Sequence, residues 1–323
     1  MLDVRRLRLL RDLARLGTIA AVAEAHAYTP SAVSQQLAAL QREAGVRLLE
    51  RAGRRVNLTS TGVALVQHTE VVLAALEAAD STLAAARTGL AGTVRIAAYP
   101  SAVRTLLPGA LVRLARDHPA LDLMVTELDP VAMPAALRDR RLDVALVHDY
   151  DIVPVAPDPA LHSTPLLHET VFLAVSADPG GDTEGGTEGD PLHSVRDAHW
   201  IVGSPGTLCH SVVVHACQMA GFTPSVRHHA DDFAAVLALV AAGQGVALVP
   251  QLAVTVPLPQ VRLLPLTIQR RTRVSYRKGA AAHPAVAACV AALNAATHDF
   301  LGGPQTRHEG HSPLTAPACL DSA

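Results

Sequence analysis

Apolar residues fall at helical spacing from the start of the chain. Leu7, Leu9, Leu10, Leu13 and Leu16 form a stripe that stops at Gly17, and Thr18 opens an alanine-rich segment, IAAVAEAHA, whose small side chains permit close helix approach. A third helix is predicted over Thr29 to Arg42, TPSAVSQQLAALQR. Thr29 can cap it, and Pro30 suits the first helical position, where no amide hydrogen is needed. Ala32, Val33, Leu37 and Leu40 face a core, which leaves Ser31, Ser34, Gln35, Gln36 and Arg42 on the other side. That face carries short hydrogen-bonding groups with a cation beyond them, a set able to read base edges, whereas an ordinary solvated helix mixes Glu and Lys. Three helices on short turns predict a helix-turn-helix with the third helix presented. Gly45 to Thr61 then supplies Val46, Leu48 and Leu49, an Arg-Ala-Gly-Arg-Arg turn, and Val56 and Leu58: a β-wing tipped with Arg51, Arg54 and Arg55.

From Val63 to Leu90 one long helix is expected. Leu65, Thr69, Val72, Leu76, Ala79 and Leu83 alternate spacings of four and three, a heptad seam, with Glu70, Glu77, Asp80 and Arg87 off it. A lone helix cannot bury such a seam, so a partner helix is implied, with Leu65, Val72, Leu76 and Leu83 as its contacts. Beyond Gly89 and Gly92 the pattern changes to short β-branched runs separated by helical ones. Strands are expected at 94–99, 121–128, 144–148, 171–175, 200–203, 226–229, 246–249 and 274–276, and helices at 101–117, 134–140, 208–220, 233–242 and 284–300. This alternation predicts mostly parallel α/β sheets. Asp178 to Asp190 is rich in Gly and acid and predicts a solvated loop; the stretch 301–323 lacks periodicity and predicts a disordered tail.

The chain has 323 residues, half of them hydrophobic, enough for two or three domains with real cores. Aromatic content of 3% argues against stacking platforms for single-stranded nucleic acid. The net charge of −2 is uneven: Met1 to Gly62 holds ten arginines against five acids. A basic head on a slightly acidic remainder suits a DNA-binding module joined to a sensor. No signal peptide is apparent and the apolar runs are broken short of a membrane span, so a cytoplasmic protein without membrane partners is expected. Four cysteines without a C-x-x-C pair fit a reducing compartment. Cys209 and His210, with His215 and Cys217, come nearest to a metal or redox cluster, against the plainer reading of buried thiols and polar-face histidines. Neither a G-x-S-x-G elbow, a P-loop nor an H-E-x-x-H helix occurs, so no enzyme activity and no cofactor are expected.

Residues 1 to about 90 resemble the DNA-binding end of LysR-type transcriptional regulators. The resemblance is carried by Gly17-Thr18 and the Ala20, Ala21, Ala23 run, by Ser31 to Leu37 with Leu40 and Gly45, and by Leu48-Leu49-Glu50-Arg51, Leu58-Thr59 and Gly62. Ile19 and Leu49 stand where the family often has aromatics, and Gln41 where it often has Glu. Further on, Gly92 to Ile96, Leu106-Leu107-Pro108, His118-Pro119, Leu142 to Leu146 and Val240 to Pro250 resemble the family's effector domain. The resemblance implies the two-lobed α/β fold of periplasmic solute-binding proteins (type 2). The expected organisation is a winged helix-turn-helix over 1–61, a linker and dimerisation helix over 62–91, and an effector domain over 92–300. Its first lobe would take about 92–166 and 267–300, its second about 167–266, with crossovers near Pro165 to Thr170 and Leu264 to Ile268.

The expected function is a DNA-binding transcriptional regulator governed by a small effector between the lobes. The alternatives are an effector-independent regulator, or a metal- or redox-responsive one acting through Cys209 and His210. DNA contacts are expected from Thr29, Ser31, Ala32, Ser34, Gln35, Arg42, Arg51, Arg54 and Arg55. The operator would be an imperfect palindrome bound by a dimer, or by a tetramer, with RNA polymerase a further candidate partner. In α/β sheets ligands sit beyond the carboxyl ends of strands, where helices point free amides at the crevice. Those positions here are Tyr99, Ser101, Ala102, His148, Asp149, Ser204, Thr207, Asp231 and Asp232. Ser101, Thr207 and Asp232 are equally readable as plain helix caps. Hydroxyls favour an acceptor such as a carboxylate, and the aspartates favour an amino group, so the effector stays open.

Overall fold

The computed structural model describes residues 1–52, 55–87, 89–177, 190–256 and 258–302, and of residues 51, 52 and 55 the backbone alone. Arg54, the expected loop from Asp178 as far as residue 189, and the expected tail from residue 303 on lie outside these residues. The chain divides into two compact units, Met1–Asp80 and the remainder from Ser81.

The first unit begins with α1 (Val4–Leu16), capped by Asp3 and ended by Gly17 at φ +74°, a conformation glycine adopts without a Cβ clash. Thr18 caps α2 (Ile19–Ala25) and Thr29 caps α3 (Pro30–Ala44), each through its side-chain oxygen. The stripes close on one core in which Leu7, Leu10, Leu13, Val22, Val33, Leu37, Leu40 and Leu48 are buried. Each such side chain contributes roughly 1.5–3 kcal/mol on leaving water. Asp12 is buried as well, held by Arg11 Nε at 2.9 Å and by His26 Nε2 at 2.7 Å, which ties α1 to the end of α2. The wing is an antiparallel pair, β1 (Leu49–Ala52) and β2 (Arg55–Leu58), with Leu49 opposite Leu58. Gln41 Oε1 accepts from the amides of Leu48 and Leu49 and so fixes how the wing leaves α3. The departure at this position therefore keeps the acceptor a Glu would offer.

α4 (Ser60–Ala85) is continuous. Of the heptad positions, Leu65 packs against the head core and Thr69 is buried, while Val72, Leu76 and Leu83 are exposed. Glu77, placed off the seam by its spacing, is buried.

In the second unit a six-stranded sheet has the order β4 (Leu121–Glu127), β3 (Gly92–Ala98), β5 (Val144–Tyr150), β10 (Val261–Arg277), β6 (Leu161–Ser176), β9 (Ala247–Pro250). β3 runs parallel to β4 and β5; β10 is antiparallel to β5 and β6, and β6 to β9. β7 (His199–Val202) and β8 (Ser225–His229) form a parallel pair joined to the β9 edge through the Trp200–Val246 bridge. The expectation of mostly parallel sheets is corrected for the six-stranded sheet: β3 pairs parallel with β4 and β5, but the other three pairings are antiparallel, and each of them involves one of the two long strands. β6 and β10, of 16 and 17 residues, serve both lobes, and their ladder breaks between Pro265 and Gln269, where proline has no hydrogen to donate.

α5 (Pro100–Asp117), α6 (Met133–Arg138) and α9 (Pro284–Gly302) cover the first lobe. α5 and α9 approach closely at Gly109, where an added Cβ would lie 3.3 Å from Ala296 Cβ. α7 (Leu208–Met219) and α8 (Phe233–Ala241) cover the second, around Trp200 and Val240. Contrary to the expectation of apolar runs broken short of a span, α4 and α9 are by length and composition alone apolar enough to cross a membrane. α9 uses that character to bury Val286, Cys289 and Leu293 in the first lobe.

Candidate DNA-reading face and ligand cavity

On α3 the buried row of Val33, Leu37 and Leu40 forces the opposite row outward, and Thr29, Ser31, Ser34, Gln35 and Arg42 are exposed while Ala32 is half-buried. Thr29 caps the helix by accepting from the Ala32 amide at 3.2 Å and shares a 3.0 Å hydrogen bond with Ser31. Ser34 Oγ donates to the Pro30 carbonyl. Gln36, from the same polar face, accepts from Arg6 Nε at 2.9 Å and is thereby tied to α1. Gln35 has no such tie among the described residues and projects freely. Of the wing arginines, Arg51 and Arg55 stand in the β1–β2 ladder opposite Val56 and Ala52.

The second unit holds a cavity of about 230 Å³. Tyr99, Ser101, His148, Thr207 and Asp231 line it, together with Pro100, Glu127, Leu128, Asp129, Pro130, Cys209, Phe233 and Arg270. Four expected positions lie elsewhere. Ala102 is enclosed in the first-lobe core, one step round α5 from Ser101. Asp149 follows His148 in β5 and so faces the other side of the sheet, where Arg271 and Arg273 hold it at 2.7 and 2.5 Å. Asp232 caps α8 by accepting from Ala234 N at 2.8 Å and pairs with Arg104 at 3.1 Å. Ser204 donates to Asp231 from both its amide and its hydroxyl, at 2.7 and 2.6 Å, so it positions a lining carboxylate from behind. Thr207 lines the cavity and also caps α7, accepting from His210 N at 3.1 Å. Ser101 is no cap: its hydroxyl accepts from Arg270 at 3.2 Å.

Arg270 is not among the expected site residues, yet it lines the cavity. It sits in the run Gln269-Arg270-Arg271-Thr272-Arg273, which has no apolar residue. Strand alternation was the available signal, since Ile268, Arg270, Thr272 and Val274 share the buried face and Arg271 and Arg273 the other. Buried Glu169 accepts from Arg270 Nε at 2.6 Å and from Leu252 N at 2.6 Å. The guanidinium lies 4.8 Å above the Tyr99 ring. Tyr99 OH bonds Thr272 Oγ1 at 2.6 Å, and burial, partly opposed by Arg270, pushes this phenol up to about 12. His148 packs edge-on to both Tyr99 and Tyr150; burial, reinforced by Arg270, holds its pKa well below the ordinary imidazole value. Cys209 Sγ is 3.9 Å from Tyr150 OH, and burial pushes its thiol up while Arg270 pulls it down. Cys217, on the inner face of α7, is pushed to about 12 by burial. Among the described residues no three His, Cys, Asp or Glu side chains gather as metal ligands.

Two family models match: one described as the bacterial regulatory helix-turn-helix protein, lysR family, over residues 4–63, and one as the LysR substrate binding domain over residues 87–297. A probable hydrogen peroxide-inducible genes activator of Mycobacterium avium is 31% identical over 234 residues, covering 72% of this chain and 73% of its own. One of the same name from Streptomyces viridosporus is 30% identical over 314 residues, covering 92% and 98%. Among solved structures, the Corynebacterium glutamicum OxyR C206 mutant superposes with a TM-score of 0.56 at 23% identity, covering 94% of this chain and 93% of that one.

Proposed function

The chain belongs to the LysR family of bacterial transcriptional regulators, and from that premise we propose how its parts divide the work. It is a DNA-binding regulator that joins a winged helix-turn-helix to a ligand-binding domain. Residues 1–61 would form the DNA-binding head, 62–91 a linker helix and 92–300 the effector domain. Ser31, Ser34 and Gln35 would enter the major groove with Thr29, Ala32 and Arg42 alongside, while Arg51, Arg54 and Arg55 would take phosphate or the adjacent minor groove. Val72, Leu76 and Leu83 are the exposed seam on which two copies would join, setting two heads on half-sites of an imperfect palindrome. A protein working on chromosomal DNA is placed in the cytoplasm, and no catalytic role is assigned.

The observation that carries effector control is the cavity lined by Arg270, His148, Ser101 and Thr207. A ligand touching residues of both lobes binds their closed and open arrangements with different affinity, which is what any shift in the DNA-bound state requires. The test is a thermal-shift screen of small acids and amino acids, followed by Ser101→Ala and Thr207→Ala on any hit. Loss of the shift in either variant supports the cavity. A confirmed effector that stabilises both variants, and His148→Gln, as fully as the wild type is bound elsewhere.

A second reading has its own observation. Cys209 stands in the cavity wall within reach of Arg270's charge, and both relatives reported above carry the name probable hydrogen peroxide-inducible genes activator. Cys217 lies eight residues on along α7, about 12 Å at about 1.5 Å per residue, so a disulfide between the two needs the helix to unwind. Mass spectrometry after peroxide and a sulfenic-acid trap decides: an unlabelled Cys209, or a Cys209→Ser variant with an unchanged peroxide response, ends this reading.

A further inference from the structure

Two polar groups in the cavity wall go unsatisfied. Arg270 is wholly buried; its Nε and Nη2 meet Glu169 and Ser101, while Nη1 has no hydrogen-bond partner among the described residues. His148 is 6% exposed, and neither ring nitrogen has a hydrogen-bond partner among the described residues. Buried donors without acceptors are rare in native proteins, and an incoming acceptor recovers the free energy each one costs. The charge of Arg270 is already matched by Glu169, so this pole offers directed N–H groups and little surplus positive charge. The remaining charged lining is of the opposite sign: Glu127, Asp129 and Asp231, with Arg270 the one basic side chain against them. Leu128, Pro130 and Phe233 add apolar lining.

The geometry points to a zwitterionic ligand of the amino-acid class, its carboxylate accepting from Arg270 Nη1 and His148 and its ammonium facing Asp129, Asp231 and Glu127. This rests on the cavity being the effector site proposed above. A dicarboxylate or inorganic anion would meet three carboxylates and one guanidinium that is already paired, so repulsion wins. A simple amine would suit the acidic wall but leave Arg270 and His148 desolvated and unmet. Burial keeps His148 neutral, so it donates from one nitrogen without adding charge. At about 230 Å³ the cavity is below the range of about 300 Å³ and more typical of drug-sized ligands, which fits an amino acid with a modest apolar side chain.

The experiment is titration calorimetry of the full chain with the proteinogenic amino acids, and for each binder with its amide and with the acid lacking the amino group. The expected result is that at least one amino acid binds and that removing either charge weakens it by about tenfold or more. Asp231→Asn, which keeps one oxygen to accept from the Ser204 amide and turns an NH2 toward the Ser204 hydroxyl, should weaken the amino acid and, by removing a repelling charge, should not weaken the des-amino acid. His148→Gln should weaken both the amino acid and the des-amino acid. An acid or an amide that binds as tightly as its parent, or a full set of amino acids without a binder, overturns the ligand class. If such an acid or amide loses affinity in these variants, the cavity reading survives that failure. If an amino acid needs both charges yet binds both variants like the wild type, the ligand sits outside this cavity, and the assignment and the cavity reading fall together.

Discussion

Arg270 and Glu169 set the energetics of the cavity floor, because both are fully buried and each is the other's charge partner. Replacing one member leaves a charge in low dielectric, so Arg270→Met should cost about 3–5 kcal/mol in urea unfolding, and Glu169→Gln with Arg270→Met together much less. Equal losses in the single and double variants would show that the pair itself matters little. His148 makes a pH prediction. Its folded-state pKa lies below its ordinary 6.5, with Arg270, Tyr99 and Tyr150 around it, so the unfolded chain binds the proton more readily. Its contribution is present above about pH 6.5 and is lost as pH falls toward the depressed folded value. His148→Gln should therefore flatten the fall in melting temperature between pH 7 and pH 5; an unchanged slope would contradict a neutral buried imidazole. The sequence revealed Tyr99, Ser101, His148, Thr207 and Asp231 because strand ends and helix starts mark a crevice. It hid Arg270, since a buried cation inside a polar run looks like solvated surface until its strand and its partner Glu169 are known, and they are 101 residues apart.

At the scale of elements, the head was legible almost throughout, because Asp3, Thr18 and Thr29 cap its three short helices, apolar spacing marks their buried faces, and Gly17 and Gly45 stop α1 and α3. Gly62 shows how tightly the wing and α4 meet: an added Cβ would lie 2.2 Å from the Leu48 carbonyl oxygen. Gly62→Ala should destabilise the head by about 1–3 kcal/mol, measured by denaturant unfolding, whereas a neutral result would mean the backbone there shifts freely. The long strands were only half legible. β6 begins LHSTPLLHE and β10 holds Pro265 and then QRRTR, so neither shows clean alternation outside its most apolar stretch. Their continuity comes from pairing with each other, which no local pattern encodes. For α4, Leu76→Asp would put a charge mid-seam and should lower self-association and operator binding together. Sedimentation showing the wild type as a monomer at micromolar concentration would contradict the seam.

Over the whole molecule, charge and fold divide in the same way: the arginine excess lies in the head, and the cavity of about 230 Å³ lies in the other unit. The claim on which the rest depends is that the outer face of α3 reads DNA sequence. It is tested most directly by equilibrium binding of the full chain to the DNA upstream of its own gene and to a shuffled duplex of equal length, over a salt series, for wild type and Gln35→Ala. The wild type should prefer its own DNA by about 10³-fold or more. Gln35→Ala should lose roughly 1–3 kcal/mol of that preference with the salt slope unchanged. A wild type that binds both duplexes alike at every salt concentration, or a preference untouched by Gln35→Ala, would contradict the base-reading role of this helix.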